Sequence, residues 1–345
     1  MNFFRAPIWL PLLLLVAVKT EAQQTSPAAG AYAEGLTYLK NGQQALARDA
    51  FLKASQDPIT ASGARMQLAW LAVGASDWQE GERWVRQFLS AQPASPEGLY
   101  ILGYVLFRQS RHEGAVVALR EALAKQPENA DAHKILGLSY FQMDQKIEAR
   151  KELQSAVRIN AELTEAHYFL GRVNYTLNRF GEARQAFERA IQLEARFMKA
   201  YDNLGLTLDA LGEEQSAIET FHKAIKLNED LKINSKWPYL NVGEVLLKQN
   251  QYSQSIPYFR KALAIDPSWA KAHSCLGKAL VREGRSDEAK ASFLAAIRLD
   301  PASSDAHYQL GQLYRKQGDM EAARRELKLF QQLKNESSTL ALSAP

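Results

Sequence analysis

The sequence lacks the residues and motifs on which most enzymes and metal sites depend. Cys275 is the single cysteine in 345 residues, so no disulfide can form within the chain and no paired-cysteine motif is present. The phosphate-binding G-x-x-x-x-G-K-[ST], the nucleophile G-x-S-x-G and the zinc-binding H-E-x-x-H motifs are also missing. These absences predict a protein that is not an enzyme, with no catalytic residues, no cofactor and no metal.

Charge of either sign is not in large excess. The chain has 42 Lys and Arg against 38 Asp and Glu, a formal net charge of +4. Proteins that bind nucleic acids concentrate basic residues in a stripe or patch, and a balance this close to neutral does not predict one. We therefore expect no nucleic-acid partner. An apolar content of 46% and a charged content of 23% are ordinary for a folded soluble protein.

The first 22 residues have the pattern of a secretory signal peptide. Met1 to Arg5 is a short basic start, Ala6 to Val18 is an apolar run, and Thr20-Glu21-Ala22 offers small residues for cleavage. The run is shorter than the roughly 20 residues that a membrane-spanning helix needs. The pattern predicts export to a periplasm or the extracellular space, with no stable membrane span after cleavage. An uncleaved anchor is the alternative.

A small residue recurs at a period of 34 residues, with one slip of four residues in the second half. Twelve positions after it comes a second small residue, and sixteen positions after it a large apolar one, as in Gly171, Ala183 and Phe187. Helices that cross about 8–10 Å apart need small side chains at the crossing and bulky ones beside it. The period therefore predicts stacked helical hairpins. Its first positions are Gly35, Ala69, Gly103, Gly137, Gly171, Gly205, Gly243, Gly277 and Gly311.

The stretch from Ala166 to Leu193 carries the pattern in full, with the Leu170-Gly171 pair, Ala183 and Phe187. This resembles the tetratricopeptide repeat family, as do the closing prolines of other units. The resemblance implies an all-α fold, a right-handed α-solenoid or superhelix of stacked helix-turn-helix hairpins. In the middle units the closing proline is replaced, which puts the sharpness of those turns in doubt. The prolines are Pro93, Pro127, Pro267 and Pro301, and the replacements are Ala161, Ala195 and Glu229.

The period divides the chain into nine units. A signal peptide at 1–22 and a linker at 23–27 precede them, an insertion at 232–235 interrupts them, and a tail at 338–345 follows. The insertion predicts an extra helical turn or a longer loop, and residues 178–181 are expected to form the turn inside the fifth hairpin. The units are 28–61, 62–95, 96–129, 130–163, 164–197, 198–231, 236–269, 270–303 and 304–337.

The resemblance also implies where a partner binds. In this family the first helices line a concave groove that holds an extended peptide or a partner helix. Aromatic and arginine residues, which are enriched at binding hot spots, occupy several of the corresponding positions. The alternative is that some aromatics pack between neighbouring first helices. The candidate groove residues are Tyr100, Tyr104, Arg108, Lys134, Phe141, Tyr168, Arg172, Tyr175, Asp202, Asn203, Asp209, Asn241, Glu244, Lys278, Arg282 and Gln312.

Four histidines recur at one position of the repeat. Equivalent residues on adjacent hairpins lie about a helix spacing apart, whereas a shared Zn²⁺ would need nitrogens at about 2.0–2.1 Å. We therefore expect partly buried packing histidines and no metal. Cys275 is expected to be a buried apolar residue, the alternative being a reactive thiol. The histidines are His133, His167, His273 and His307.

These observations predict an exported, non-enzymatic scaffold or adaptor whose groove binds a peptide segment or helix of a partner protein. Two alternatives stay open. A groove lined by tyrosine, amide and acidic groups also suits a glycan, and the chain could instead be an accessory or regulatory subunit of a cell-envelope enzyme complex. Self-association through the ends of the array is possible.

Overall fold

The computed structural model describes residues 27–343, with side-chain burial over residues 29–336. The predicted signal peptide and almost all of the linker lie outside the described residues. Over 27–343 the chain forms helices and no strands, and the helices follow one another as hairpins. They are α1 (Pro27–Lys40), α2 (Gln44–Ala54), α3 (Ala61–Gly74), α4 (Trp78–Ala91), α5 (Pro96–Arg108), α6 (His112–Lys125), α7 (Ala130–Gln142), α8 (Lys146–Ile159), α9 (Thr164–Thr176), α10 (Phe180–Leu193), α11 (Met198–Ala210), α12 (Glu214–Asp230), α13 (Trp237–Lys248), α14 (Tyr252–Ile265), α15 (Ala270–Arg282), α16 (Ser286–Leu299), α17 (Ser304–Gln317) and α18 (Met320–Ser343).

The chain divides into two compact units, Met1–Val173 and Asn174–Pro345, and the division falls within α9. In the first unit α6 packs against its own first helix α5 and against α7, and in the second unit α12 packs likewise against α11 and α13. First helices of neighbouring hairpins also touch, as α5 touches α7 in the first unit and α13 touches α15 in the second. The predicted all-α solenoid of stacked hairpins is confirmed.

The repeating small residues lie where paired helices cross. At Gly205 an added Cβ would lie 2.4 Å from the ring of Phe221, which is fully buried. A Cβ there would force the ring of Phe221 or the backbone to shift, because real Cβ atoms essentially never make contacts under 3.0 Å. The second small residue of the pattern is likewise buried, with Ala217 fully inaccessible in the same hairpin. The packing role predicted from the period is therefore confirmed.

Each hairpin turns on one residue in the left-handed conformation. In the fifth hairpin this residue is Asn178, with φ of +56°, and α10 begins already at Phe180. The expected turn at 178–181 was therefore too long, since Phe180 and Gly181 are helical. At the third hairpin the N–H of Arg111 donates to the carbonyl of Leu106 at 2.9 Å, which closes the helix end around a left-handed Ser110.

The loops between hairpins form with or without proline. Pro127 lies between α6 and α7, but α8 ends at Ile159 and α10 ends at Leu193 although Ala161 and Ala195 stand where proline was expected. At Glu229 the outcome differs, because α12 runs on to Asp230. Of these three junctions, only this one has a helix that continues past the position of the missing proline.

The insertion lengthens both the helix and the loop. α12 has 17 residues where α10 has 14. After it, the buried side chain of Asn228 donates to the carbonyl of Ser235 at 2.9 Å and accepts from the N–H of Ser235 at 2.8 Å. At the far end α18 continues to Ser343, so most of the residues taken as a tail are helical. Among the described helices, none is long and apolar enough to cross a bilayer.

Candidate functional site

The first inner face, as we call it, is formed by the first helices α5, α7 and α9 of the first unit. Residues spaced four apart on one helix lie on the same side, so Tyr100, Tyr104 and Arg108 share one side of α5. Tyr168 and Arg172 share one side of α9, and contact between α5 and α7 brings neighbouring first helices together. The first inner face therefore carries seven of the candidate groove residues: Tyr100, Tyr104, Arg108, Lys134, Phe141, Tyr168 and Arg172.

The three tyrosines of the first inner face are almost wholly buried. Tyr100 is 9% exposed, Tyr104 5% and Tyr168 7%. Burial, assisted by the nearby carboxylate of Asp131, raises the pKa of Tyr100 far above its ordinary value. These rings pack among neighbouring helices, as the alternative interpretation had it. A partner could therefore contact only a small part of each tyrosine.

Arg108 lies beside two aromatic rings. Its Cζ is 4.1 Å from the ring centroid of Trp78, at the start of α4, and 5.9 Å from that of Tyr104. One Nη donates to the hydroxyl of Tyr104 at 3.1 Å. Stacking and hydrogen bonding together fix the orientation of the guanidinium. Trp78 was not among the sequence candidates because it belongs to a second helix, which the groove assignment excluded.

Arg172 lies over a cluster of three rings. Its Cζ is 5.2 Å from the ring centroid of Phe141, 5.7 Å from that of Phe169 and 5.9 Å from that of Tyr168. The side chain is partly buried, and among the side chains described, those of residues 29–336, no carboxylate pairs with it. Phe169 was also missed by the sequence analysis, since it lies one position beyond the expected stripe.

Lys134, unlike Arg172, is paired with carboxylates of the same chain. Its Nζ lies 2.9 Å from Asp131 and 3.3 Å from Glu165, and the residue is 9% exposed. Burial alone would lower the pKa of Lys134, but the two carboxylates outweigh it and raise the pKa. This lysine therefore ties α7 to α9 and has its charge satisfied internally.

In the second unit, Asp202 on α11 and Asn241 on α13 form one polar contact. The amide of Asn241 donates to the carboxylate of Asp202 at 2.8 Å. Burial raises the pKa of Asp202 to about 6, against the lowering effect of that hydrogen bond. Asn203 donates to the carbonyl of Lys199 at 2.9 Å, within its own helix.

Other charged candidates of the second unit form ion pairs with neighbouring side chains. Lys248 lies 3.1 Å from Asp209, and Lys278 lies 2.8 Å from Asp305. These pairs link successive first helices and leave few side-chain groups for a ligand. The remaining candidates are Glu244, which pairs with Lys271 at 2.8 Å, Tyr175, which packs on Phe180 at 5.5 Å, the exposed Arg282, and the half-buried Gln312.

The recurring histidines serve the loops between hairpins. In each, Nε2 contacts a backbone carbonyl six residues earlier, and for His273 this is the carbonyl of Pro267 at 3.0 Å. The same contact joins His167 to Ala161 at 3.0 Å. The side chains thus hold the loop that precedes their own helix, a role that the spacing of the histidines did not predict.

Comparison with known proteins agrees with this architecture. Models described as tetratricopeptide repeat match residues 66–119, 164–196, 199–231 and 276–335, and TPR repeat models match 103–144 and 243–284. The chain belongs to the tetratricopeptide repeat family. No curated protein matches it.

Two solved structures with TM-scores above 0.5 share the fold of this tetratricopeptide repeat protein. PilF of Pseudomonas aeruginosa is 24% identical, with 61% of this chain and 94% of that chain covered and a TM-score of 0.53. A tetratricopeptide repeat protein of Parabacteroides merdae is 16% identical, with 73% and 98% covered and a TM-score of 0.52. A MamA protein is 27% identical over 49% of this chain and 92% of that chain, with a TM-score of 0.45.

Proposed function

We propose that this protein is an exported, non-enzymatic scaffold that binds a peptide segment or helix of a partner protein on its first inner face. The supporting observation is that two arginines there, Arg108 and Arg172, are already held against aromatic rings. Groups fixed before binding lose less conformational entropy when a partner arrives. Arginine beside aromatic rings is also the composition typical of binding hot spots.

Glycan binding has less support. Stacking on a sugar needs exposed ring faces, whereas Tyr100, Tyr104 and Tyr168 are at most 9% exposed. An accessory role in a larger enzyme complex remains compatible with the proposal, since such a subunit would also bind a polypeptide.

Site-specific photo-crosslinking in the native compartment tests the proposal. A crosslinking amino acid at Gln142, exposed at the end of α7, should capture a polypeptide. The same amino acid at Lys151, exposed on the second helix α8, is the matched control and should capture much less. Equal capture at both positions, or capture at Lys151 alone, would contradict binding at the first inner face.

Export is tested separately. We expect the mature protein to begin at Gln23, after cleavage behind Ala22, and to fractionate outside the cytoplasm. Amino-terminal sequencing and cell fractionation measure both. A cytoplasmic protein that retains Met1 would contradict this part of the proposal and leave the binding face untouched.

A further inference from the structure

We infer that the partner segment carries an aspartate or glutamate that pairs with Arg172, next to an apolar residue that packs on Phe141 and Phe169. The inference rests on the proposed function and specifies the chemistry of its partner. It follows from the surroundings of Arg172, from the contrast with the other cations on the first helices, and from the rings beside the guanidinium.

Arg172 is set up to bind a carboxylate. Three rings at 5.2–5.9 Å surround its guanidinium and restrict where the side chain can lie. Aromatic rings accept no strong in-plane hydrogen bond, so the N–H groups at the edge of the guanidinium fork keep their capacity for a bidentate carboxylate. No acid among the side chains of residues 29–336 uses that capacity.

Two other cations on the first helices are already paired with carboxylates. Lys134, on the same face, has both Asp131 and Glu165. In the second unit Lys278 has Asp305 at 2.8 Å. Exposed side chains such as Arg282 need no partner because water solvates them. Arg172 is partly buried between rings, where a carboxylate from another molecule gains more than it would in open solvent.

The rings favour a polypeptide over a free anion. Phe141 and Phe169 are each partly exposed beside the guanidinium, so the surface next to the charge is apolar. An acidic side chain followed or preceded by an apolar one satisfies both surfaces at once. A uronic acid supplies the carboxylate, but Phe141 and Phe169 are only partly exposed and offer less of the ring face that a sugar needs.

Selection from a displayed library of random 12-residue peptides provides the test. The purified protein and a matched control, Arg120→Ala, which removes an exposed charge from the second helix α6, should both enrich peptides with an acidic residue next to an apolar one. Arg172→Glu should bind those peptides at least about tenfold more weakly, since it opposes like charges. It should bind versions with Lys in place of the acid more tightly than the wild-type protein does.

Arg172→Lys is the control for misfolding of the Arg172→Glu variant. Lysine keeps the positive charge but lacks the two parallel N–H donors of the guanidinium. Its affinity for the acidic peptides should therefore lie between those of the wild type and Arg172→Glu, and its circular dichroism spectrum should be unchanged. Peptides that lack acids, or equal binding by the wild type and Arg172→Glu, would overturn the inference.

The experiment distinguishes failure of this inference from failure of the proposed function. If enriched peptides block the Gln142 crosslink yet carry no acid, the proposed function stands and the inference falls. If no peptide is enriched, the proposed function falls as well. Oligogalacturonate serves as the carbohydrate probe: binding of it that depends on Arg172, with no peptide enriched, would overturn both in favour of a glycan partner.

Discussion

His133 and Glu152 lie in direct contact, with 2.6 Å between Nδ1 and a carboxylate oxygen. On the other side of the ring, Nε2 lies 3.0 Å from the carbonyl of Pro127. Both partners are acceptors, so only the doubly protonated ring can donate to both. The hydrogen bond to Glu152 raises the pKa of His133, while burial and Arg158 oppose the shift and the Pro127 carbonyl supports it.

This contact predicts a stability that depends on pH. A pKa raised by folding stabilises the protein fully below the unfolded value, about 6.5, and the stabilisation is lost as pH rises through the higher folded value. His133→Gln should therefore lower the free energy of unfolding by about 1.5 kcal/mol at pH values below the unfolded pKa. Above the folded pKa of His133 the loss should be smaller. Urea unfolding at a series of pH values measures the difference.

Glu152→Gln supplies the control for this experiment. In its background, the cost of His133→Gln should change little with pH, because the carboxylate that favours the charged ring is gone. If His133→Gln lowers the free energy of unfolding equally at pH 5 and pH 9 while Glu152 is present, the contact with Glu152 does not favour the charged form of the ring.

Gly98 and Phe88 predict a second result. Phe88 takes a position that is alanine in most repeats, and an added Cβ at Gly98 would lie 2.7 Å from its ring. Gly98→Ala should therefore destabilise the first unit by about 1–3 kcal/mol through overpacking. Gly181→Ala is the control, since nothing lies within 4 Å of its added Cβ and alanine favours helices. Equal effects of the two substitutions in urea unfolding would refute the assignment.

Ser110 predicts a stabilising change. It holds φ at +61°, where a side chain is strained and glycine is not. We expect Ser110→Gly to raise the free energy of unfolding by about 0.5–1 kcal/mol, seen as a higher midpoint in thermal unfolding. Ser155→Gly, inside α8, should have the opposite sign, because glycine weakens a helix interior. A loss of stability in Ser110→Gly would count against the strain argument.

Cys275 should be unreactive in the folded protein. It is 5% exposed, and burial, with Glu244 adding to it, raises the pKa of its thiol to about 12. Modification by a disulfide reagent at pH 8 should be more than about 100-fold slower in buffer than in urea, because little thiolate forms in the native state. Labelling at comparable rates in both conditions would contradict the burial.

Much of the fold could be predicted from the sequence because its packing is local and periodic. Gly205 and Phe221 lie on the two helices of one hairpin, and the same spacing recurs in the other hairpins, so the repeat itself carries the information. The candidate site was harder. Whether Tyr168 lines a groove or packs inside depends on the neighbouring hairpins, which the period does not describe. The Lys134–Glu165 pair and the histidine links to loop carbonyls also join different elements, and no spacing within one helix reveals them.

The Asn228 link to Ser235 bears on how the array assembles. In a tandem protein whose hairpins resemble one another, a hairpin can dock on the wrong neighbour during folding. Away from Ser235, the buried Asn228 amide would lack its partner, at a cost of about 1–3 kcal/mol. Because the two residues are only seven apart, a docking arrangement that keeps this link must also keep the loop between them, which fixes how the seventh hairpin follows the sixth.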